Sequence, residues 1–170
     1  MRAEKGSNLI NIEREVKRAM EERYKSMIVV DLMLTRDNNE KKEVLAALRK
    51  NTGFNDGEYE LPGGHVDAGE DLMQAMIREA KEELNIELNR EDLKIIHILH
   101  HYKGNRLKFI ISANSYAGNL EIGEPDKCEK LEWFNINELP TNFHKKTRQA
   151  LEEIQKNIFY DNSDFIYLYD

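Results

Sequence analysis

Three carboxylates, Glu79, Glu82 and Glu83, stand three and four residues apart in the run Arg78-Glu79-Ala80-Lys81-Glu82-Glu83. On a helix that spacing puts all three on one side. Like charges so placed repel by about 0.2–0.5 kcal/mol per pair. A hard divalent cation relieves the repulsion. Carboxylate oxygens are the ligands Mg²⁺ takes, with waters and substrate phosphates completing its octahedron. Arg78 can pair with a carboxylate and fix its rotamer. A solvated acidic helix face is the competing reading, and these six residues alone favour it, because Glu-Glu pairs are common on exposed helices.

The elements that must hold these groups follow from periodicity. From Asp71 to Leu84, Leu72, Met76, Ala80 and Leu84 recur every fourth position, with Met73 and Ile77 beside them, so the spacing predicts an amphipathic helix. Asn85 follows as a left-handed C-cap. Upstream, Pro62 pushes Leu61 to extended geometry, and Gly63-Gly64 lets the backbone approach a neighbour closely. Asp67 to Glu70 reads as a turn into the helix.

Ser26 to Thr35 is β-branched and nearly continuous, which predicts a strand buried on both faces. Asp37-Asn38-Asn39 reads as a turn. Val44 to Arg49 fits a strand or a short helix. Asn51 to Gly57 is a loop rich in Gly and Asn. Lys94 to Tyr102 and Leu107 to Ser115 predict a hairpin through Lys103-Gly104-Asn105. Leu131 to Phe134 reads as a strand. Thr141 or Asn142 is expected to cap a last helix using Leu151, Ile154 and Ile158. Leu9, Ile12, Val16 and Ala19 predict a helix over Asn8 to Glu22. Together these give a mixed sheet with helices packed on its faces, an α/β or α+β sandwich. The expected division is an extension over 1–24, a main domain over 25–158 and an aromatic tail over 159–170.

The sequence of 170 residues is 40% hydrophobic, enough for one ordinary core, and its net charge of −7 argues against a protein that grips duplex DNA through a broad basic surface. A divalent cation can reverse the field of an acidic site, so an anionic substrate is compatible with that charge. The single cysteine, Cys128, excludes an internal disulfide and a four-Cys zinc site; burial as a small apolar residue is expected for it. No apolar run approaches the ~20 residues of a membrane span, and Met1 to Gly6 lacks the apolar core of a signal peptide. Cytoplasm is the expected compartment.

Gly64, Glu70, Arg78-Glu79, Ala80, Glu82-Glu83 and Ile86 stand at the spacing of the Nudix box, which this segment resembles. Asn85 occupies the position where the family has Gly; Asn tolerates positive φ better than other non-Gly residues. The similarity extends to Asp56 through Val66, and downstream to Glu124-Pro125, Leu131 through Phe134 and Leu139-Pro140. The resemblance implies an α/β/α sandwich around a mixed sheet, with the box as loop–helix–loop. It implies that Glu79, Glu82 and Glu83, with the carbonyl of Gly63, bind Mg²⁺ or Mn²⁺, while Glu70 and Arg78 brace the loop and helix. The implied reaction is attack of water on a nucleoside diphosphate linked to a group X, with a nucleoside triphosphate as the leading substrate. Dinucleoside polyphosphates, nucleotide sugars, or binding without catalysis are the alternatives.

Glu82 or Glu83 is the expected base, and Glu124 an extra ligand or base set against a plain loop role. Gly63, Gly64, His65 and Arg78 are the expected contacts to substrate, with loop capping the rival role for His65. His100 and His101 are adjacent on a strand and point to opposite faces, so they do not chelate together. Tyr102 sits where relatives acting on dinucleoside polyphosphates carry Tyr, although strand packing accounts for it more simply. No proline lies about fifteen residues beyond the box, which argues against the ADP-ribose group. Of Trp133 and Phe134, one is expected in the core, with base stacking as a lesser role. The apolar tail Phe165 to Tyr169 is expected to be covered, either on the domain or in a homodimer.

Overall fold

A computed structural model describes residues 25–162 and the single residue Arg14. The helix expected over Asn8 to Glu22, apart from Arg14, and the apolar run Phe165 to Tyr169 lie outside the described residues.

Two sheets form the centre. In the first, β5 (Gly63–His65), β1 (Met27–Met33), β7 (Arg106–Ala113), β6 (Leu93–His101) and β9 (Tyr160–Asp161) lie in that order. β1 runs parallel to β7 and antiparallel to β5, so the sheet is mixed. In the second, β3 (Lys41–Arg49) pairs antiparallel with β2 (Thr35–Asn38), β4 (Tyr59–Glu60) and β8 (Cys128–Asn135). The ambiguous Val44 to Arg49 is therefore strand. Asn39 and Glu40 both have positive φ, the geometry of a two-residue hairpin turn that follows the strand twist. The turn thus falls after Asn38, and Asp37-Asn38, expected within it, belong to β2.

Side-chain alternation along the strands feeds two cores. Val30 and Leu32 of β1, Leu45 of β3 and Ile111 of β7 face the first, against α1 (Leu72–Leu84). Met33, Val44, Ala46 and Ile110 face the second, against α2 (Lys145–Gln155). The layering is thus helix, strands, helix, and β1 is buried on both faces from Val29 to Met33, while Met27 and Ile28 at its start are exposed. Trp133 packs on the first core and Phe134 on the second. Both are used in packing, where one was expected.

Helix α1 is fixed at both ends. Asp71 Oδ1 accepts from the backbone N–H groups of Met73 at 2.9 Å and Gln74 at 3.0 Å, while Gln74 Oε1 accepts from Asp71 N at 2.9 Å. This reciprocal cap satisfies otherwise orphaned donors. Asn85 closes the helix at φ 56°, its N–H directed to the carbonyls of Ala80 and Lys81. Capping of α2 by Thr141 or Asn142 is not observed. The helix begins at Lys145 with His144 as its cap, because Phe143 must first bury its ring in the second core. The Asn142 amide instead donates to Gly57 O at 3.0 Å. Ile158 lies beyond α2 and is exposed. Tyr160–Asp161 adds a short parallel edge to β6. Among the described residues, no helix is long and apolar enough to cross a membrane.

Candidate active site

Gly63 and Gly64 bring β5 under the carboxylate face of α1. A Cβ on Gly63 would overlap the Val30 carbonyl oxygen, and its φ of 148° also disfavours a side chain. A Cβ on Gly64 would overlap the Glu79 carboxylate. With both hydrogens in place, the Gly63 N–H donates to Glu83 Oε2 at 2.7 Å.

Arg78 braces the helix to the loop before it. Its Nε donates to Glu70 Oε1 at 2.8 Å and one terminal nitrogen to Glu70 Oε2 at 3.0 Å, a bidentate pair that suits the planar guanidinium. The same terminal nitrogen reaches His65 O at 2.9 Å. The other donates to Glu79 at 2.8 Å and Glu82 at 3.1 Å. Five acceptors on four residues thus hold one cation, and its own ionised form is strengthened, first by the Glu70 hydrogen bonds.

The fourth carboxylate comes from a distant segment. Glu121 N donates to Leu84 O at 3.1 Å and Gly123 N to Glu83 O at 2.8 Å, stitching the 121–124 loop to the end of α1. A Cβ on Gly123 would overlap Glu82 O, so only glycine permits this approach. Glu124 is thereby placed where its charge acts on both Glu79 and Glu83. Its own carboxylate pairs with Lys127 at 2.7 Å.

Burial pushes Glu83 up to about 8; the Gly63 N–H opposes this, and the charges of Glu79 and Glu124 add to it. Glu79 is also raised, by burial first, with Arg78 opposing and Glu82 and Glu124 adding. Among the described residues, no three His, Cys, Asp or Glu side chains already converge as a metal cage. The donor set still fits a hard divalent cation. All four groups are carboxylates, and the mutual charge that adds to burial in raising Glu79 and Glu83 is the kind such an ion neutralises.

These groups open onto a cleft of about 760 Å³, within the size range of small-molecule sites. Its wall includes Asp31, Glu60, Arg49, Phe54, Arg106 and Lys127. Lys108 stands behind it, buried, 2.6 Å from Asp31 and 2.7 Å from Glu60. Burial alone would push both carboxyls up. Lys108, with Arg49 and for Glu60 also His144, counters it; Glu60 ends below the usual range and Asp31 above it. Arg49 lies 3.7 Å from Glu60 and donates from Nε to Phe54 O at 3.1 Å.

The structure brings Gly63, Gly64, His65, Arg78, Glu79, Glu82, Glu83 and Glu124 to this one cleft. His65 has an exposed side chain, and its carbonyl braces Arg78. Glu82 sits at the rim, its side chain 52% exposed. Tyr102, expected in strand packing, is exposed in a short 3₁₀ turn after β6 and does not line the cleft. His101 is buried while His100 is half-buried. Cys128 is half-buried rather than fully buried, at the cleft wall. Asp31, Arg49, Phe54, Glu60 and Arg106 also line the cleft, with no site role expected for them from the sequence. Two signals were available: Asp31 is a charge inside an apolar strand, and Phe54 an aromatic inside a polar loop.

Comparison with known proteins places this arrangement. Residues 25–154 match the family described as NUDIX domain. The chain is 30% identical over 115 residues to an ADP-ribose pyrophosphatase of Methanocaldococcus jannaschii, covering 66% of this chain and 64% of that protein. It is 28% identical over 86 residues to putative nudix hydrolase 1 of Caenorhabditis elegans, covering 51% of this chain and 23% of that protein. The chain thus spans less than two thirds of the length of either relative. The crystal structure of a MutT NUDIX hydrolase from Burkholderia pseudomallei superposes with a TM-score of 0.65 at 30% identity, covering 75% of this chain and 97% of that one. With a family match over most of its length, an α+β fold shared with that structure, and the box carboxylates gathered at one cleft, the chain belongs to the NUDIX domain family.

Proposed function

We propose that this chain is a divalent-metal-dependent hydrolase that cleaves the pyrophosphate bond of a nucleoside diphosphate linked to a second group, releasing a nucleoside monophosphate and the phosphorylated second group. One observation carries the reading: Glu79, Glu82 and Glu83 of α1 and Glu124 of a distant loop line one cleft, with Gly63, Gly64 and Gly123 clearing the space that lets the segments meet.

The resemblance to the Nudix box and the shared cleft support the following roles. Glu79, Glu82 and Glu83, with the Gly63 carbonyl and Glu124, would hold Mg²⁺ or Mn²⁺. Such an ion supplies charge neutralisation of the diphosphate and a more acidic water. Glu82 or Glu83 takes the proton from the attacking water. Arg78 positions Glu79 and Glu82 through its hydrogen bonds and anchors them to Glu70. Arg49 and Lys127 line the same cleft and suit phosphate oxygens.

A nucleoside triphosphate is the first substrate to test. ADP-ribose is a second reading, favoured by the name of the archaeal relative, against the missing proline. A cytoplasmic location and a homodimer belong to the same proposal; exposed Ile158, Phe159 and Tyr160 at the sheet edge would serve a dimer contact, and sedimentation showing only monomer at micromolar concentration removes it. The test of the reaction is ³¹P NMR of a panel of nucleoside triphosphates, dinucleoside polyphosphates, nucleotide sugars and ADP-ribose, with Mg²⁺ and with EDTA. Mg²⁺-dependent formation of a nucleoside monophosphate supports the proposal. Tight binding without turnover supports a sensor, and the absence of both turnover and binding supports the acidic face as plain surface.

A further inference from the structure

We propose that Phe54, with Arg106 beside it, is the platform on which the substrate's planar base stacks. The inference rests on the nucleotide reading above and deepens it by naming the residue that meets the base. Among the described residues, Phe54 is the one Phe, Tyr or Trp that lines the cleft. The aromatic residues the sequence nominated are used elsewhere. Trp133 packs on the first core and carries the Arg36 guanidinium 4.5 Å from its ring centroid. Phe134 meets Tyr59 edge-on at 4.7 Å in the second.

The Phe54 ring is half-buried on the wall made by the 51–57 loop, not by the helix that carries Glu79 and Glu83. Arg106 of β7 lies 6.0 Å from its centroid and lines the same cleft. A phenyl face and a guanidinium plane are the two surfaces on which bases stack without regard to sequence. The loop is held in shape before any ligand arrives. Asp56 Oδ1 accepts from Thr52 N at 3.0 Å and Thr52 Oγ1 at 2.6 Å, and its Oδ2 from Gly53 N at 3.1 Å. Arg49 then ties the Phe54 carbonyl to the cleft floor beside Glu60, and its charge reaches Glu83. One cation thus touches the backbone of the loop that carries Phe54 and acts on a box carboxylate, and it suits the phosphates of a nucleotide. A preformed ring spends little ordering entropy on binding.

Binding of AMP, GMP, CMP, UMP and ribose 5-phosphate to the full chain by NMR titration tests the platform. The comparison is made in the wild type, Phe54→Leu and Phe54→Trp, each shown to be folded by circular dichroism. Leu preserves apolar bulk and removes the flat face; Trp keeps the face. Wild type and Phe54→Trp should bind at least one nucleotide on the order of tenfold or more tighter than ribose 5-phosphate. Phe54→Leu should lose most of that preference while binding ribose 5-phosphate unchanged. The proposal is overturned if wild type prefers no nucleotide over ribose 5-phosphate, or if Phe54→Leu keeps the preference. Because the readout is binding, it separates the two claims. A preference lost in Phe54→Leu without turnover in wild type overturns the hydrolase reading alone; turnover with an unaffected Phe54→Leu overturns the platform alone.

Discussion

The Gly63 backbone N–H and the Glu83 carboxylate, twenty positions apart, meet at 2.7 Å. The contact joins a strand to a helix, and it exists because nothing but hydrogen fits on the Gly63 α-carbon beside Val30 O. Gly63→Ala is expected to push β5 away from β1, cost about 2–4 kcal/mol and remove turnover. Urea denaturation beside an activity assay checks both; an alanine variant with unchanged midpoint and rate contradicts the fit.

Glu82→Gln and Glu83→Gln should separate chemistry from folding. The amide in Glu83→Gln still accepts the Gly63 hydrogen bond, so the melting temperature should shift by only a few degrees. Turnover should fall by about 100-fold or more, the scale of lost general-base catalysis. Near-wild-type turnover in both variants would remove the catalytic assignment.

Much of this site was legible in the chain because the box carboxylates, Arg78 and Gly64 sit within one helix and its loop, where periodicity fixes geometry. Asn85 at positive φ follows from the same local rules. Glu124 was readable only as one of two options, since its approach to Glu83 depends on Gly123 packing against Glu82 O, a contact between segments that no local pattern reports. The buried Lys108, Asp31 and Glu60 lie on three different strands, and no spacing rule brings such residues together. The failed cap at Thr141 or Asn142 has the same origin: the burial of Phe143 overrode a good capping residue.

Lys108 holds two buried carboxylates at 2.6 and 2.7 Å. Lys108→Met takes the lysine from both and leaves Glu60 with Arg49 and His144, each at 3.7 Å, and should cost about 3–5 kcal/mol. Adding Asp31→Asn and Glu60→Gln to that variant should recover much of the loss, because neither side chain then carries a buried charge. Chemical denaturation of the three-residue variant checks this; no recovery would show that Lys108 acts through packing alone.

His101 should make the fold sensitive to mild acid. Burial, then the charges of Lys108, Lys146 and Arg106, lowers its pKa from 6.5 to about 4. The unfolded chain therefore takes a proton between those values that the folded chain refuses. Stability is fully present above about pH 6.5 and falls as pH drops towards 4, by up to about 3 kcal/mol. His144 is lowered too, by burial first, so the comparison must isolate one ring. His101→Asn should flatten the decline between pH 6.5 and 4 relative to wild type. Parallel curves from urea midpoints across that range would contradict it.

Titration of Mn²⁺ followed by electron paramagnetic resonance, in the presence of a non-hydrolysable nucleotide, bears most directly on the carboxylate cluster as a metal site. Expected is a saturable loss of the free-ion signal beyond that caused by the nucleotide alone in the wild type, and no such excess in a folded Glu79→Gln, Glu83→Gln double variant. Equal uptake by both proteins, or no uptake by the wild type, would contradict the metal-dependent reaction assigned to this cleft.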